Sequence, residues 1–167
     1  MNHLLRELAP IPADAWRQID EEAKRTLKAM LAARKLVDFD GPLGWQASSA
    51  NLGRTASIAA PRKGLDARLR EVLPLVELRV PFEMAREEID AIARGAKDAD
   101  LDPVREAARS AGLAEDHAVF HGFRDARIDG IVEAAAQGRC TITKDYQAYL
   151  GVVAEALQKL RDRGVGG

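Results

Sequence analysis

The sequence predicts an α+β protein in one domain, on three observations. Apolar residues recur at three- and four-residue steps after Asp14, which indicates an amphipathic helix. Between Val72 and Met84 they occupy alternate positions, which indicates a β-strand. Asp102-Pro103 then marks the start of a second long helix, because proline is favoured in the first helical turn. A chain of 167 residues can bury a sizeable core within one domain.

Composition excludes several classes of function. The formal net charge is -1, so there is no basic excess with which to bind a phosphate backbone. The lone Cys140 rules out an internal disulfide framework and fits a reducing cytosol. No apolar run reaches the roughly 18 residues of a membrane span, and the run near the N-terminus is too short for a signal peptide. The sequence therefore predicts a soluble cytosolic chain without nucleic-acid or membrane partners.

The N-terminal third is predicted to be an arm, a helix and a turn. Residues 1–12 form a short arm whose last part, 9–12, is predicted to be extended because proline restricts its neighbours, and Asp14 is the predicted N-cap of the helix. The stretch 34–45 closes the helix, continues as a short strand and turns sharply at Gly41-Pro42. One face of the helix is apolar and is predicted to pack in the core: Trp16, Ile19, Ala23, Leu27, Met30 and Leu31.

The middle of the chain combines a polar stretch with the predicted strand. Residues 46–63 lose periodicity and are rich in turn formers, with a short extended piece at 54–59. A polar stretch this long in a small domain is typical of a functional loop or of contact with another chain. Pro74 and Pro81 cannot donate ladder hydrogen bonds, so the strand over 72–84 is predicted at an edge or a bulge. A neighbouring subunit is the natural cover for both segments.

The remainder is predicted to be mainly helical. A short helix over 85–94 ends at Gly95, and the helix from Asp102 runs to His121-Gly122 with an alanine-rich face suited to close packing. A turn over 127–131 leads to a short extended piece, and a second one follows at 141–143. The last helix ends near Arg163-Gly164 before a linker-like tail, and its apolar stripe is Tyr146, Leu150, Val153, Leu157 and Leu160.

No group of residues indicates an active site. His117 and His121 lie four apart on a predicted helix, but a metal site needs further ligands, so packing or surface roles are favoured. Adjacent carboxylates at 21–22, 87–88 and 115–116 do not face each other on a helix and indicate solvated surfaces. Cys140 follows Arg139 but has no histidine nearby in the sequence. The prediction is a non-enzymatic chain without metal or cofactor.

Several stretches, in order and at matching spacing, resemble the encapsulins, the bacterial nanocompartment shell proteins, some of which carry the older name linocin-like bacteriocin. They are LRELAPI at 5–11 with Trp16 and Ile19-Asp20, RKLVDFDGPLGW at 34–45, LPLVELR at 73–79, Ala93-Arg94-Gly95, and AEDHAVFHG at 114–122. Each motif is weak alone, but together they cover essentially the whole chain.

The resemblance implies the tailed-bacteriophage major capsid protein fold and assembly into a closed icosahedral shell around cargo enzymes. Residues 1–45 would be the N-terminal arm and lumen-facing helix, 46–73 the extended inter-subunit loop, and 74–167 the peripheral domain. The axial domain of the family would lie largely outside this sequence. Some encapsulins hold a flavin against a tryptophan after the long strand, but the matching position here is Glu87, so no flavin is predicted.

The resemblance also implies a lumenal groove that captures a short C-terminal peptide of the cargo, such as a ferritin-like protein or a dye-decolorising peroxidase. An apolar helix face beside one cation and one anion suits an extended apolar peptide. The alternative for the two charges is that Arg34 and Asp38 pair only with each other. The predicted peptide-binding residues are Leu27, Leu31, Arg34, Leu36 and Asp38.

Two other functions stay open from the sequence. A phage-type capsid protein that packages nucleic acid would have the same fold, although the near-zero net charge argues against it. A protease or bacteriocin-like activity would match older labels in the family, although no catalytic constellation is present.

Overall fold

The computed structural model describes residues 4–135 and 138–165. The start of the predicted arm, with His3, and the end of the predicted tail, Gly166-Gly167, lie outside the described residues. Within these residues the α-helices and strands are, in order, α1 (Ala13–Met30), β1 (Ser49–Ile58), β2 (Ala67–Pro74), α2 (Arg86–Ala93), α3 (Asp102–His121), α4 (Ile131–Ala134) and α5 (Tyr149–Asp162).

Helix α1 forms where the apolar stripe predicts it, but it begins two residues earlier than expected. Pro12 is the N-cap, and Asp14 lies in the first turn, where its carboxylate accepts a 3.0 Å hydrogen bond from Arg17 and caps nothing. Proline is well suited to this boundary because its fixed φ precedes a helix without strain. The arm is held to α1 by Arg6, which donates to Asp20 at 2.6 and 2.8 Å and stacks on the Trp16 ring at 4.4 Å.

The core lies where α1 crosses α3, with α2 beside α1. A glycine sets the distance between the two long helices: a Cβ built on Gly112 would lie 3.1 Å from Met30 Cβ. The buried apolar residues are mostly small or β-branched, which permits this close approach. They are Ala15, Ile19, Leu31, Ala33, Ile92, Val104, Ala108 and Ala126.

Strands β1 and β2 form an antiparallel hairpin, so the interpretation of 46–63 as mostly loop was wrong. The register runs from Ser49 opposite Pro74 to Ile58 opposite Ala67, with an irregularity between Asn51 and Thr55. The hairpin escaped prediction because neither face is buried and no alternation of apolar and polar residues is required. Every residue of the two strands is exposed except Ala56 and Ala67.

The strand predicted over 72–84 was also wrong in most of its length. Only Val72 to Pro74 belong to β2, and beyond them Leu75 N donates a 2.9 Å hydrogen bond to Ser48 O. Residues 75–85 belong to no strand. Alternation favours an extended segment, but a strand also needs a partner strand, and the described chain supplies none here. The apolar side chains of this segment remain exposed: Leu75, Val76, Leu78, Val80 and Phe82.

The region after α1 differs from the expected helix–strand–turn. The helix ends at Met30, a 3-10 turn follows at Ala33–Lys35, and no strand forms over residues 36–40. The sharp turn lies at residues 45–46 and not at Gly41-Pro42, whose peptide bond is cis.

Helices α2 and α3 have the predicted bounds within one or two residues, with Leu101 and not Asp102 as the N-cap of α3. The described residues show neither extended piece predicted after 127–131 and at 141–143, since Ile131 begins α4 and residues 141–143 form no strand. The stripe of the last helix is divided between a 3-10 turn at Tyr146–Ala148 and α5. Among the helices in the described ranges, none has both the length and the hydropathy that a bilayer span requires.

Candidate functional site

A surface groove of about 650 Å³ lies beside the C-terminal half of α1. Helix α1 supplies one wall, α3 supplies a second, and the unpaired segment after β2 contributes a side chain. The lining residues are Lys24, Leu27, Lys28, Leu31, Arg34, Lys35, Leu78, Ala111 and Glu115.

The floor of the groove is apolar. Leu27 and Leu31 lie four residues apart, so they share a face of the helical turn, and Ala111 of α3 lies beside them in the lining. Leu31 is only 8% exposed and fixes the floor to the core. Leu78 is 47% exposed and offers apolar surface at the edge. Such a floor can bind apolar side chains of an extended segment.

Arg34 forms the polar rim, and its partner is not the predicted one. Its Nε and Nη2 donate to the two carboxylate oxygens of Glu115 at 2.5 and 2.7 Å. The guanidinium also lies over the Phe39 ring at 4.2 Å. The hydrogen bond to Glu115 raises the pKa of Arg34 above its ordinary value. The alternative of a local pair with Asp38 is therefore wrong: the ion pair joins the turn after α1 to α3.

Asp116 holds the same turn through the backbone. Its two carboxylate oxygens accept hydrogen bonds from Ala32 N and Ala33 N, both at 2.9 Å. A carboxylate with two N–H donors at the start of a helical turn acts as a cap and fixes the direction of the chain. The spacing of residues 115–116 indicates a solvated surface, whereas both carboxylates bind partners more than 80 positions away, which local spacing cannot reveal.

The structure brings together part of the predicted site. Leu27, Leu31 and Arg34 line the groove. Leu36, which is 71% exposed, and Asp38 lie in the segment that follows and do not line it. Sequence reasoning missed the other lining residues, which come from the polar face of α1, from the 3-10 turn that follows it, from α3 and from the segment after β2: Lys24, Lys28, Lys35, Leu78, Ala111 and Glu115.

A buried carboxylate on α1 locks this helix against α3. Glu22 is 7% exposed and accepts hydrogen bonds from Arg25 at 2.5 Å and from Arg105 of α3 at 2.9 Å. The bond from Arg25, with a further contribution from Arg105, holds the pKa of Glu22 below the ordinary value of 4.5. The charged form is thus the stable form in the folded protein, and it fixes the crossing that shapes the groove.

Other reactive side chains do not assemble into a site. The rings of His117 and His121 lie 5.0 Å apart, yet in the part of the chain that is described no group of three or more His, Cys, Asp or Glu could hold a metal ion. Cys140 Sγ lies 3.5 Å from Lys159 Nζ, and the pKa of Lys159 is raised by hydrogen bonds first to Glu155 and then to Cys140.

Comparison with known proteins identifies the family. The family described as "encapsulating protein for peroxidase" matches residues 1–167, the whole sequence. The chain belongs to the encapsulin family. This family implies a tailed-bacteriophage capsid fold, and the mixture of helices with a small sheet agrees with it.

Encapsulin relatives align with the whole chain. Type 1 encapsulin shell proteins are 54% identical over 173 residues in Rhodospirillum rubrum, and 42% identical over 167 residues in Brevibacterium linens and in Mycobacterium tuberculosis. The chain covers 62% of the first relative's length and 63% of the other two. These relatives are named as shell proteins and not as enzymes, which agrees with the non-enzymatic prediction.

One more distant relative is a fusion. The diheme-cytochrome-encapsulin shell fusion protein of Kuenenia stuttgartiensis is 27% identical over 169 residues, covering 94% of this chain and 46% of that protein. By its name, that protein joins an encapsulin shell sequence to a diheme cytochrome.

Proposed function

We propose that this chain is the structural part of an encapsulin nanocompartment, whose copies self-assemble in the cytoplasm into a closed icosahedral shell. The observation that carries the proposal is the β1–β2 hairpin, which is exposed on both faces although it bears apolar side chains. A two-stranded hairpin is marginally stable alone, so such a hairpin favours cover by another subunit. The exposed apolar side chains are Leu52, Ile58, Leu69, Val72 and Leu73.

The proposed parts of the subunit follow from the same geometry. Residues 1–45, with α1, would face the lumen. Residues 46–73, which include most of the hairpin, would reach over a neighbour, and 74–167 would form the peripheral domain with α3 as its long helix.

The groove beside α1 is the proposed cargo site. A short C-terminal peptide of a cargo protein would place apolar side chains on Leu27 and Leu31, beside the Arg34 rim. Leu36 and Asp38 would contact the peptide where it leaves the groove. A peroxidase is a natural cargo because the family is described as encapsulating one. A ferritin-like protein is the second candidate, and the Kuenenia fusion supports redox proteins as a class of cargo.

Assembly is tested on the hairpin. We expect Leu69→Asn to yield small oligomers in place of shells. The side chain is 58% exposed in the single subunit, so the change removes apolar surface that would be buried only between subunits. Glu71→Gln on the same strand is the control and should still form shells. Size-exclusion chromatography and negative-stain microscopy read the outcome. Small oligomers from the unaltered protein would count against a shell, and shells that co-purify with nucleic acid would favour the phage-type capsid.

Cargo capture is tested in the groove. We expect Leu27→Asp to abolish co-purification of a fluorescent protein that ends in the C-terminal segment of the peroxidase or ferritin-like protein encoded with the shell. A charge on the apolar floor opposes burial of an apolar side chain. Ala29→Asp is the matched control, since it adds the same charge to an exposed position of α1 outside the groove. Equal capture by both variants contradicts the site.

A further inference from the structure

Two adjacent carboxylates of α3 clasp the turn that closes the groove. Glu115 binds the side chain of Arg34 through two parallel hydrogen bonds, and Asp116 binds the backbone N–H groups of Ala32 and Ala33. Bidentate arginine–carboxylate pairs and doubly bonded carboxylates both impose a definite geometry. The clasp therefore determines where the groove ends and how far its rim lies from α3.

The same contacts occupy the Arg34 guanidinium. Two of its nitrogens donate to Glu115, and its face lies over Phe39. Its charge is largely neutralised by this partner. In the described ranges, Lys24, Lys28 and Lys35 also line the groove and form no ion pair, so they are the available cations there.

We propose that Glu115 and Asp116 are positioning residues for peptide capture, and that Arg34 acts through Glu115 instead of gripping the peptide itself. This inference rests on the proposed function, because it assigns roles within the proposed cargo groove. Asp116 is the sharpest member of the set, since it does not line the groove and cannot act there by direct contact. Its effect on capture must pass through the position of the turn.

The first experiment compares Asp116→Ala with Asp116→Asn in assembled shells. The probe is the tagged fluorescent protein described above, and its apparent Kd is measured alongside shell integrity by microscopy and thermal unfolding. We expect Asp116→Ala to weaken capture about tenfold or more, since two hydrogen bonds to a charged acceptor are lost. Asp116→Asn keeps one acceptor oxygen but turns its NH2 group toward the other backbone N–H, so it should recover only part of the affinity that Asp116→Ala loses. Unchanged capture by intact Asp116→Ala shells overturns the proposal.

The second experiment is a charge swap. Arg34→Glu and Glu115→Arg should each weaken capture about tenfold, while the double variant restores the pair and recovers affinity to within about threefold of the unaltered protein. A double variant as weak as Arg34→Glu means that Arg34 contacts the peptide directly, which overturns its role as a strut. Leu27→Asp distinguishes failure of the proposed cargo site from failure of the positioning roles: if capture survives that change, the groove is not the cargo site.

Discussion

The carboxylate of Glu22 offers the most direct test of how α1 is held on α3. Replacing it by glutamine keeps the size of the side chain but removes its charge, and turns one oxygen into an N–H donor. Arg25 donates to Oε2 at 2.5 Å and Arg105 donates to Oε1 at 2.9 Å, so whichever oxygen becomes the NH2 group, that donor faces the N–H groups of one of the two arginines. The side chain is 8% exposed, so water cannot substitute for the lost interactions.

The expected loss can be worked from these contacts. Hydrogen bonds to charged groups contribute about 1.5 to 3 kcal/mol each, but Arg25 is 70% exposed and can turn to solvent. We therefore assign about 2 kcal/mol to Glu22→Gln as a whole, near the middle of the range for a broken buried network. For a domain of this size that corresponds to a fall of roughly 4 to 8 °C in the thermal midpoint.

The neighbouring residue provides the matched control. Glu21 is 65% exposed and lies 3.8 Å from Arg17, so Glu21→Gln should cost less than about 0.5 kcal/mol. Circular dichroism or scanning fluorimetry on both purified variants, at one protein concentration, measures the difference. Equal midpoints for Glu22→Gln and Glu21→Gln would refute the assignment of Glu22 as the lock between the helices.

Three further outcomes are expected. The stability difference between the unaltered protein and Glu22→Gln should have its largest value at neutral pH and should shrink as the pH falls below 4.5. The reason is that a carboxyl group with a lowered folded-state pKa loses its contribution to stability as it is protonated. Measuring the thermal midpoint of both proteins over a series of acid pH values checks this. Gly130→Ala should strongly lower the yield of folded protein, because its Cβ would lie 2.5 Å from backbone atoms at the end of α3. Gly151→Ala is the control: a Cβ there meets open space in α5, so the thermal midpoint should stay the same or rise slightly. The yield of folded protein and the thermal midpoint of the two variants test this. Gly112→Leu should destabilise by about 1 to 3 kcal/mol by pushing Met30 and α1 away from α3, and an undiminished midpoint would show that the crossing tolerates more space than the contact indicates.

The sequence predicted the helices because their signals are local. The stripe after Asp14 and the Asp102-Pro103 start located α1 and α3 within one or two residues. The strands were less predictable: the hairpin has no buried face and hence no alternation, and the alternation over 72–84 cannot tell whether a partner strand is present. An apolar pattern shows which side chains favour burial, but it does not identify the element or subunit that buries them.

The part of the candidate site that lies on α1 and on the turn after it was predictable, because its signals are also local in the sequence. Leu27, Leu31 and Arg34 were expected and line the groove. Glu115 was missed as the partner of Arg34, because an ion pair between residues 81 positions apart leaves no trace in spacing. The exposure of Leu36 likewise depends on where the chain goes after α1, which the clasp on α3 decides.

The two bare faces of the hairpin have a thermodynamic consequence. The hairpin buries almost no surface in its own subunit, so its ordered state is stabilised mainly by the subunit that binds it. By mass action, the ordered fraction of the hairpin should therefore rise with protein concentration. Amide hydrogen exchange would then report a hairpin that is poorly protected in dilute samples and well protected in concentrated ones, while α1 and α3 stay protected in both.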